Sequence, residues 1–402
     1  MVLSAAFADR HQVQQRRCAP GAVLPRAGLF RPEGGEHLRH TILNGDVIAC
    51  LRSLPDACVH CVVTSPPYWG LRDYGVEGQI GLEPTPEAYV EKMVEVFREA
   101  RRVLRDEGTM WLNLGDCYAR SRSAWGLKAK DLVGMPWRIA FALQADGWYL
   151  RSDIVWAKPN SMPESVRGRP TRSHEYVFLL TKRERYFYDA DSIREPPTGR
   201  TDPMRFWKKG MEGQAKGNRN DAERVMQKDG GIGRNRRDVW RIATQATPDA
   251  HFATFPEKLV EPCIRAGTSE RGACPECGAP WRRVVEVTVY DTRPGTNTKY
   301  NGGGLASGSR NTTRKMSMRS EIGWAPTCTC SAGDPIPCTV LDPFGGSGTV
   351  AKVARDLGRS SILIEINPEY VQIAKKRLRI GEQLDSGVCE YVVKNFRPEA
   401  TS

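Results

Sequence analysis

The feature that most constrains the fold of this chain is a glycine-rich turn near its C-terminal end. Residues 342–349 read Asp-Pro-Phe-Gly-Gly-Ser-Gly-Thr. The pattern predicts a strand over 339–342, a helix over 348–357 and a second strand over 360–365 that ends in Glu365. Glycines in such a turn let the backbone approach a nucleoside closely, and an acid at the end of the next strand typically accepts hydrogen bonds from ribose hydroxyls. The segment therefore predicts a nucleoside-binding α/β unit.

The rest of the chain repeats this alternation of strand and helix. Asp46 can cap a short helix that starts at Val47. Strands that alternate with helices predict an α/β fold, with a mainly parallel sheet and helices on both faces. Apolar runs and helical spacing predict strands over 59–64, 109–114, 152–156 and 175–180, and helices over 86–105, 134–146 and 368–379.

A second informative segment, Thr64-Ser65-Pro66-Pro67-Tyr68, follows one of the predicted strands. Two consecutive prolines lack backbone N–H groups and fix φ, so the local carbonyl groups can point outward without pairing inside the turn. The Ser65 hydroxyl and the Pro66 carbonyl can accept hydrogen bonds from an exocyclic amine and make its nitrogen more nucleophilic. Tyr68 can stack on a planar base. The ordinary alternative is a strand-terminating turn with a tyrosine in the core.

The two segments together resemble the motifs of the amino-directed DNA methyltransferases that use S-adenosylmethionine (AdoMet). Ser65 to Tyr68 match the catalytic motif of that family, and Phe344 to Gly348 match its Phe-x-Gly-x-Gly cofactor motif. The catalytic motif comes first along the chain, which is the order of the β group of the family. The resemblance covers residues 39–200 and 238–380, and it implies a Rossmann-like AdoMet-dependent methyltransferase domain with insertions.

The resemblance also implies a reaction and its site residues. A methyl group would pass from AdoMet to an exocyclic amine of a base flipped out of duplex DNA. Serine at the first position of the catalytic motif favours N4 of cytosine, and N6 of adenine is the alternative. The rival from another class is a zinc-containing DNA-binding protein without catalysis. The implied catalytic residues are Ser65, Pro66, Pro67 and Tyr68, and the implied cofactor-binding residues are Asp46, Thr254, Asp342, Phe344, Gly346, Gly348 and Glu365.

Charge and cysteine content narrow the class of protein further. The formal net charge of +12 favours an anionic partner, and double-stranded DNA is the predicted one. The N-terminal residues lack the charge order of a secretory signal, and no run is long and apolar enough to span a bilayer. We therefore predict a cytoplasmic protein without membrane contact, whose 12 cysteines are mostly reduced. The sequence leaves open a homodimer, the DNA recognition sequence and the existence of a cognate restriction enzyme.

Two segments interrupt the α/β pattern. Residues 194–237 are crowded with Lys and Arg and predict a DNA-contact and target-recognition insertion, with a solvated, disordered insertion as the alternative. Residues 268–337 contain two close cysteine pairs that could bind one structural zinc ion, namely Cys274, Cys277, Cys328 and Cys330. The second pair is Cys-x-Cys, which is tighter than the usual Cys-x-x-Cys spacing, and four unrelated reduced cysteines are the alternative.

These observations divide the chain into seven segments. They are an N-terminal tail (1–38), the catalytic half of the methyltransferase domain (39–193), the basic insertion (194–237), a return to the core (238–267), the cysteine-bounded insertion (268–337), the AdoMet-binding half (338–382) and a C-terminal tail (383–402).

Overall fold

The computed structural model describes residues 38–71, 73, 75–119, 126–195, 234–245, 255–292, 314–331, 333–380 and 389–396. The strands are β1 (Leu38–Asn44), β2 (Val59–Thr64), β3 (Leu104–Leu114), β4 (Tyr149–Ala157), β5 (His174–Thr181), β6 (Val239–Arg241), β7 (Arg282–Thr292), β8 (Arg314–Ala325), β9 (Thr339–Asp342), β10 (Ser360–Glu365) and β11 (Cys389–Asn395). The helices are α1 (Val47–Arg52), α2 (Pro86–Val103), α3 (Met135–Ala145), α4 (Glu257–Gly267), α5 (Thr349–Asp356) and α6 (Pro368–Arg377).

Nine of these strands form one sheet in the order β11-β1-β10-β9-β2-β3-β5-β4-β6. Every neighbouring pair is parallel except the two pairs that involve β5, which runs against both β3 and β4. The predicted mainly parallel α/β sheet is confirmed. Because β5 is reversed, its first residues lie at the same edge of the sheet as the last residues of the other strands. We call this edge the carboxyl edge.

Both faces of the sheet are buried. Trp111 on β3 packs in a cluster with Val260 and Ile264 of α4 and with Val350 of α5. Met110, the residue before Trp111, points to the opposite face and is also fully buried. The central strands are therefore covered by helices on both sides, as in other α/β folds.

Local signals explain where the helices begin. Asp46 caps α1, as predicted, because its side chain accepts a hydrogen bond from the backbone N–H of Ala49 at 2.9 Å. Thr85 caps α2 in the same way through the N–H of Ala88 at 3.1 Å, and Pro86 occupies the first turn. The predicted helix over 86–105 ends at Val103, because Leu104 is already extended and starts β3.

Two elements lie where the sequence suggested irregular segments. The cysteine-bounded insertion contains the antiparallel ribbon of β7 and β8, a separate two-stranded sheet. The segment predicted as a C-terminal tail contains β11, which pairs in parallel with β1 at the end of the main sheet. Both were missed because each strand is defined by the distant segment with which it pairs, and a short run of mixed charged and apolar residues does not indicate that partner. Among the described residues, no helix is long and apolar enough to cross a membrane.

Candidate functional site

A cavity of about 400 Å³ opens at the carboxyl edge of the sheet. Its lining includes Ser65, Pro66, Pro67 and Tyr68 from the segment after β2, and Phe344 and Gly346 from the glycine turn after β9. Glu365, the last residue of β10, lines the same cavity. Two motifs that are nearly 280 residues apart in sequence therefore face one space, because β2 and β9 are neighbours in the sheet.

The Pro-Pro corner after β2 is held from below. The Tyr89 hydroxyl on α2 donates a hydrogen bond to the Pro67 carbonyl at 2.6 Å. The indole N–H of Trp69 donates to the carbonyl of Glu83 at 2.8 Å, which ties the end of the corner to the segment before α2. The Pro67 carbonyl is thus already paired, and the Ser65 hydroxyl and the Pro66 carbonyl are the acceptors of the corner that the sequence predicted for an amine.

A hydrogen-bond network connects the corner to strands β3 and β5. The Tyr68 hydroxyl donates to Glu175 Oε2 at 2.7 Å. Asn113 Nδ2 lies 2.9 Å from Tyr68 Oη, 3.0 Å from Glu175 Oε2 and 3.2 Å from Ser65 Oγ. The Lys158 ammonium pairs with the second oxygen of Glu175 and lies 4.3 Å from the centre of the Trp156 ring. Asn113 and Glu175 are therefore shared partners of the two side chains predicted to act on the base.

The Tyr68 ring is confined by close packing. A Cβ atom on Gly115 would lie 2.5 Å from Tyr68 Cε2, so only glycine leaves room for the ring at this position. Burial and the nearby Glu175 carboxylate raise the pKa of Tyr68 well above its usual value. The hydroxyl therefore stays protonated and acts as a hydrogen-bond donor across the neutral pH range.

Glu365 is fixed by backbone amides on both oxygens. Oε2 accepts a hydrogen bond from the N–H of Gly346 at 2.7 Å, and Oε1 accepts one from the N–H of Asn367 at 2.8 Å. Burial raises the pKa of this carboxyl group. Each carboxylate oxygen has a second lone pair, so the side chain keeps acceptor capacity for the two hydroxyls of a ribose.

Asp342 lies beneath the cavity and is not part of its lining. Its Oδ1 accepts hydrogen bonds from Thr64 Oγ1 at 2.7 Å and from the N–H of Phe344 at 3.1 Å. Burial raises its pKa to about 7. Asp342 therefore supports the cavity indirectly, because it joins the end of β2 to the glycine turn and positions Phe344.

The shape of the glycine turn depends on two close contacts. A Cβ atom on Gly345 would lie 2.2 Å from the Leu363 side chain, so the turn can sit on β10 only with glycine there. Gly348 has φ of +79° and starts α5 against Ala374 of α6, and it lies outside the cavity lining. Gly346, at φ +49°, presents its N–H to Glu365. Of the glycines predicted to bind the cofactor, Gly346 faces the cavity and Gly348 supports it.

The remaining predicted cofactor residues divide in the same way. Asp46 lines the cavity beside Val47, at the start of α1. Thr254 lies outside the described residues, but Phe255, the next residue in the chain, is part of the lining. Asn367 and Tyr370, at the start of α6, complete this side of the cavity.

The four cysteines of the predicted zinc site lie together. The sulfur atoms of Cys274, Cys277, Cys328 and Cys330 all lie within 4.8 Å of one another. In a tetrahedral site with zinc–sulfur bonds of about 2.3 Å, the sulfur atoms are roughly 3.8 Å apart, so small side-chain rotations would satisfy the geometry. Burial opposes ionisation of Cys274, but hydrogen bonds from the backbone amides of Cys277 and Glu276 and from the thiols of Cys277 and Cys328 lower its pKa to about 7, whereas burial raises the pKa of Cys277. The donor set suits a closed, structural zinc site.

The cysteine cluster lies at the opposite edge of the sheet from the cavity. His60, near the start of β2, bonds to the Gly278 carbonyl at 3.1 Å through Nε2 and accepts from the N–H of Thr339 at 3.0 Å through Nδ1. Burial lowers the pKa of His60 to about 3, so the ring is neutral and Nε2 carries the proton. Arg105, near the start of β3, donates to the Cys277 carbonyl. The cluster is therefore joined to the two strands whose far ends carry Ser65 and Asn113.

Comparison with known proteins decides the family. The sequence profile of the DNA methylase family (N6_N4_Mtase) matches residues 59–274 and 338–376. The chain belongs to the amino-directed, AdoMet-dependent DNA methyltransferases. The order of the two motifs in this methyltransferase is that of the β group. The profile leaves out residues 275–337, so most of the cysteine-bounded insertion lies outside what the family shares.

Two relatives match the methyltransferase over nearly their full length. The type II methyltransferase M.XycI from Xanthomonas campestris pv. cyanopsidis is 38% identical over 89% of this chain and 96% of its own. M.Cfr9I from Citrobacter freundii is 39% identical over 87% of this chain and 91% of its own. Among solved structures, the PvuII DNA methyltransferase (cytosine-N4-specific) superposes with a TM-score of 0.49 at 18% identity, covering 87% of this chain and 92% of the other.

Several lining residues of the methyltransferase were missed from the sequence. Asn113 and Glu175 are polar residues at the ends of apolar strands, which is the one signal that could have identified them. Lys158 follows β4 directly at the same edge. Phe255 is next to the predicted Thr254, but neither it nor Tyr370 was predicted individually, because an aromatic residue beside a helix start is ordinary core packing.

Proposed function

We propose that this methyltransferase transfers the methyl group of AdoMet to the exocyclic N4 amine of cytosine in duplex DNA, after the base has been flipped into the cavity. The observation that carries the proposal is that Ser65 faces the same cavity as Glu365. Serine at the first position of the catalytic motif favours cytosine by resemblance to the family. Adenine N6 remains the alternative, because a hydroxyl acceptor suits either amine.

The residues of the cavity divide between the two substrates. Glu365 would accept hydrogen bonds from the ribose hydroxyls of AdoMet, and Asp46 would accept from its adenine amine. Bound AdoMet supplies an electrophilic methyl group. Ser65 Oγ and the Pro66 carbonyl would accept hydrogen bonds from the amine of the base. These hydrogen bonds would reduce the delocalisation of the nitrogen lone pair into the ring and so make the nitrogen more nucleophilic. Asn113 donates to Ser65 Oγ at 3.2 Å and fixes its direction. Tyr68 would stack on the base.

The product nucleoside tests the choice of base. Duplex DNA methylated by the purified protein with AdoMet is digested to nucleosides and separated by mass spectrometry. We expect the digest to contain N4-methyl-2′-deoxycytidine. The Ser65→Ala variant should form much less of this nucleoside, while its affinity for AdoMet stays nearly unchanged. If N6-methyl-2′-deoxyadenosine is the only methylated nucleoside, the target base is adenine and not cytosine. If Ser65→Ala methylates DNA at the parent rate, the Pro-Pro corner has no role in catalysis.

We also propose that Cys274, Cys277, Cys328 and Cys330 hold one structural zinc ion. The support is the close approach of the four sulfur atoms and the attachment of this cluster to β2 and β3 through His60 and Arg105. Four thiolates leave no open coordination position for a substrate. Metal binding would supply folding energy to an insertion whose ribbon, β7 and β8, is a separate sheet of only two strands.

Elemental analysis tests the zinc site. We expect about one zinc per chain in protein purified without chelator, and a loss of that zinc when Cys274 and Cys277 are both replaced by Ser. Cys50→Ser is the matched control, because Cys50 is a buried cysteine on α1, far from the cluster along the chain. Protein that contains no metal and whose four cluster thiols react freely would end this proposal and leave the methyltransferase assignment intact.

The basic insertion over 194–237 is proposed as the target-recognition segment. Most of it lies outside the described residues, but its two ends are held together: Glu195 and Arg234 form an isolated antiparallel bridge with two backbone hydrogen bonds of 2.9 Å. Arg234 and Arg237 also pair with the Glu195 carboxylate, at 2.9 and 3.3 Å. The support for DNA contact is the density of Lys and Arg in the sequence between these ends.

A further inference from the structure

The catalytic corner contains a line of hydroxyl groups that ends on a carboxylate. The Ser65 hydroxyl donates to Tyr68 Oη at 3.4 Å, and the Tyr68 hydroxyl donates to Glu175 Oε2 at 2.7 Å. Ser65, Tyr68 and Glu175 all line the cavity. Stacking on a base requires only the ring of Tyr68, so the role proposed for this residue leaves the hydroxyl and its direction unexplained.

Methylation of an amine also releases a proton, and the proposed function assigns no residue to accept it. When the nitrogen forms its new bond to carbon, it carries one proton too many and becomes cationic. That proton needs an acceptor, and a side chain positioned in the cavity takes it more effectively than water does. The Ser65 hydroxyl, which is predicted to touch the amine, is a poor base by itself. A carboxylate connected to it by hydroxyl groups is a far better final acceptor.

We infer that Glu175 receives the proton released by the amine, through a relay that runs from Ser65 to Tyr68 to Glu175. The inference rests on the proposed function, because it takes Ser65 as the residue that touches the amine. The N–C bond forms as the C–S bond of AdoMet breaks, and the electron pair of that bond stays on sulfur. The amine proton moves to Ser65 Oγ, the Ser65 hydroxyl proton moves to Tyr68 Oη, and the Tyr68 hydroxyl proton moves to Glu175 Oε2. Atoms and charge balance, and the neutral Glu175 returns its proton to solvent through its exposed part.

The surroundings of Glu175 suit this role. Its side chain is 15% exposed, so it is sheltered but has a route to solvent. Lys158 pairs with Oε1 and leaves Oε2 to face Tyr68. Asn113 Nδ2 lies within 3.2 Å of all three members of the relay, so its two N–H groups can donate to any two of them and draw Ser65, Tyr68 and Glu175 together. Asn113 itself is a positioning residue, since an amide neither gains nor loses a proton in this range.

Tyr68→Phe separates the relay from stacking, because phenylalanine keeps the ring and loses only the hydroxyl. We expect its single-turnover rate of methyl transfer to fall about 100-fold, within the range that proton transfer by a positioned side chain contributes. The rate of Glu175→Gln should fall by a similar factor. The double variant, Tyr68→Phe with Glu175→Gln, should be little slower than either single variant, because both changes break the same relay. AdoMet and DNA affinities should stay within about twofold of the parent. Tyr149→Phe, at an exposed tyrosine on β4, is the matched control and should retain the parent rate.

Chemical rescue distinguishes a proton acceptor from a purely structural partner. We expect the rate of Glu175→Ala to rise with added formate, because a small carboxylate can enter the space of the missing side chain, while Ser65→Ala should not respond. A parent rate in Tyr68→Phe, with Tyr68→Ala and Ser65→Ala both slow, would overturn the relay and leave the proposed function standing. Slow Glu175→Ala protein that binds AdoMet normally and is not restored by any concentration of formate would also overturn it. Parent rates in Ser65→Ala and Tyr68→Ala would overturn the proposed function itself.

Discussion

At the scale of single residues, Gly115 limits the position of the Tyr68 ring. An added Cβ atom would come within 2.5 Å of that ring, so Gly115→Ala should push it out of place while the cofactor side of the cavity is unchanged. We expect a 10- to 100-fold slower single-turnover rate, since a misplacement of about 1 Å costs roughly that much, with parent AdoMet affinity by titration calorimetry. Gly168→Ala is the matched control, because nothing lies within 4 Å of its added Cβ. An unchanged rate in Gly115→Ala would show that the ring position does not matter.

Asp342 gives a prediction for stability against pH. Burial raises its pKa to about 7, so the folded protein binds this proton between about pH 4 and 7, where the unfolded chain has released it. The free energy of unfolding should therefore fall as pH rises through that window, by at most on the order of 4 kcal/mol from this group. Asp342→Asn keeps an oxygen for Thr64 and Phe344 and removes the ionisation. Urea unfolding at pH 5 and pH 8 should show a smaller pH dependence in this variant, and an equal dependence would contradict the assignment.

The sequence identified the two motifs that line the cavity, but it did not identify the residues that support them. Ser65 and Glu365 could be identified because each belongs to a motif with its own spacing, and both face the cavity. Asn113 and Glu175 were not identified, because polar residues at strand ends are common and that signal is weak. Glu175 reaches the cavity only because β5 runs against its neighbours, and strand direction is a property of the whole sheet.

At the scale of elements, α6 holds the glycine turn through Arg377. Its guanidinium donates to Ser347 Oγ at 2.8 Å and to Thr349 Oγ1 at 2.9 Å, and it pairs with Glu257 of α4 at 3.0 Å. Arg377 therefore connects α6 to both the glycine turn and α4.

Removal of this tie should weaken cofactor binding more than catalysis. We expect Arg377→Ala to bind AdoMet about tenfold more weakly, because hydrogen bonds to a charged group contribute roughly 1.5–3 kcal/mol and part of that loss will be relaxed. The single-turnover rate at saturating AdoMet should stay near the parent value. Gln372→Ala, an exposed change on the same helix, is the control. If titration calorimetry gives the two variants the same affinity, the turn does not depend on α6.

Elements with strong local signals were predicted well, and elements defined by their partners were not. Helix α2 has a Thr cap, a Pro in its first turn and a regular apolar stripe, and its predicted and observed bounds differ by two residues at one end. Strand β11 exists because β1 offers it an open edge, and the β7–β8 ribbon exists because two distant segments pair with each other. Neither partner can be read from the local sequence.

At the scale of the whole molecule, the charge of +12 predicts how the protein binds DNA. Lys and Arg that contact phosphates release counterions, so affinity should fall steeply and linearly on a logarithmic scale as salt increases. Replacing residues 200–230 by a short Gly-Ser linker keeps the Glu195–Arg234 bridge and removes most of the basic insertion. We expect this variant to bind AdoMet as the parent does, to show a shallower salt dependence and to lose its choice of DNA site. If the variant keeps the parent's preference for its DNA site, the insertion does not recognise the target.

The pairing of β1 with β11 has a consequence for how the chain could be rewired. The two strands are parallel, with Leu38 opposite Cys389 and Asn44 opposite Asn395, so the end of β11 and the start of β1 are one strand length apart, roughly 23 Å. A linker of about ten residues would bridge them. Opening the chain between Glu195 and Arg234 would then give a circular permutant in which the glycine turn precedes Ser-Pro-Pro-Tyr while every strand keeps its neighbours. The motif order that defines the β group is thus set by the point at which the chain is cut, and the same cavity can be encoded in either order.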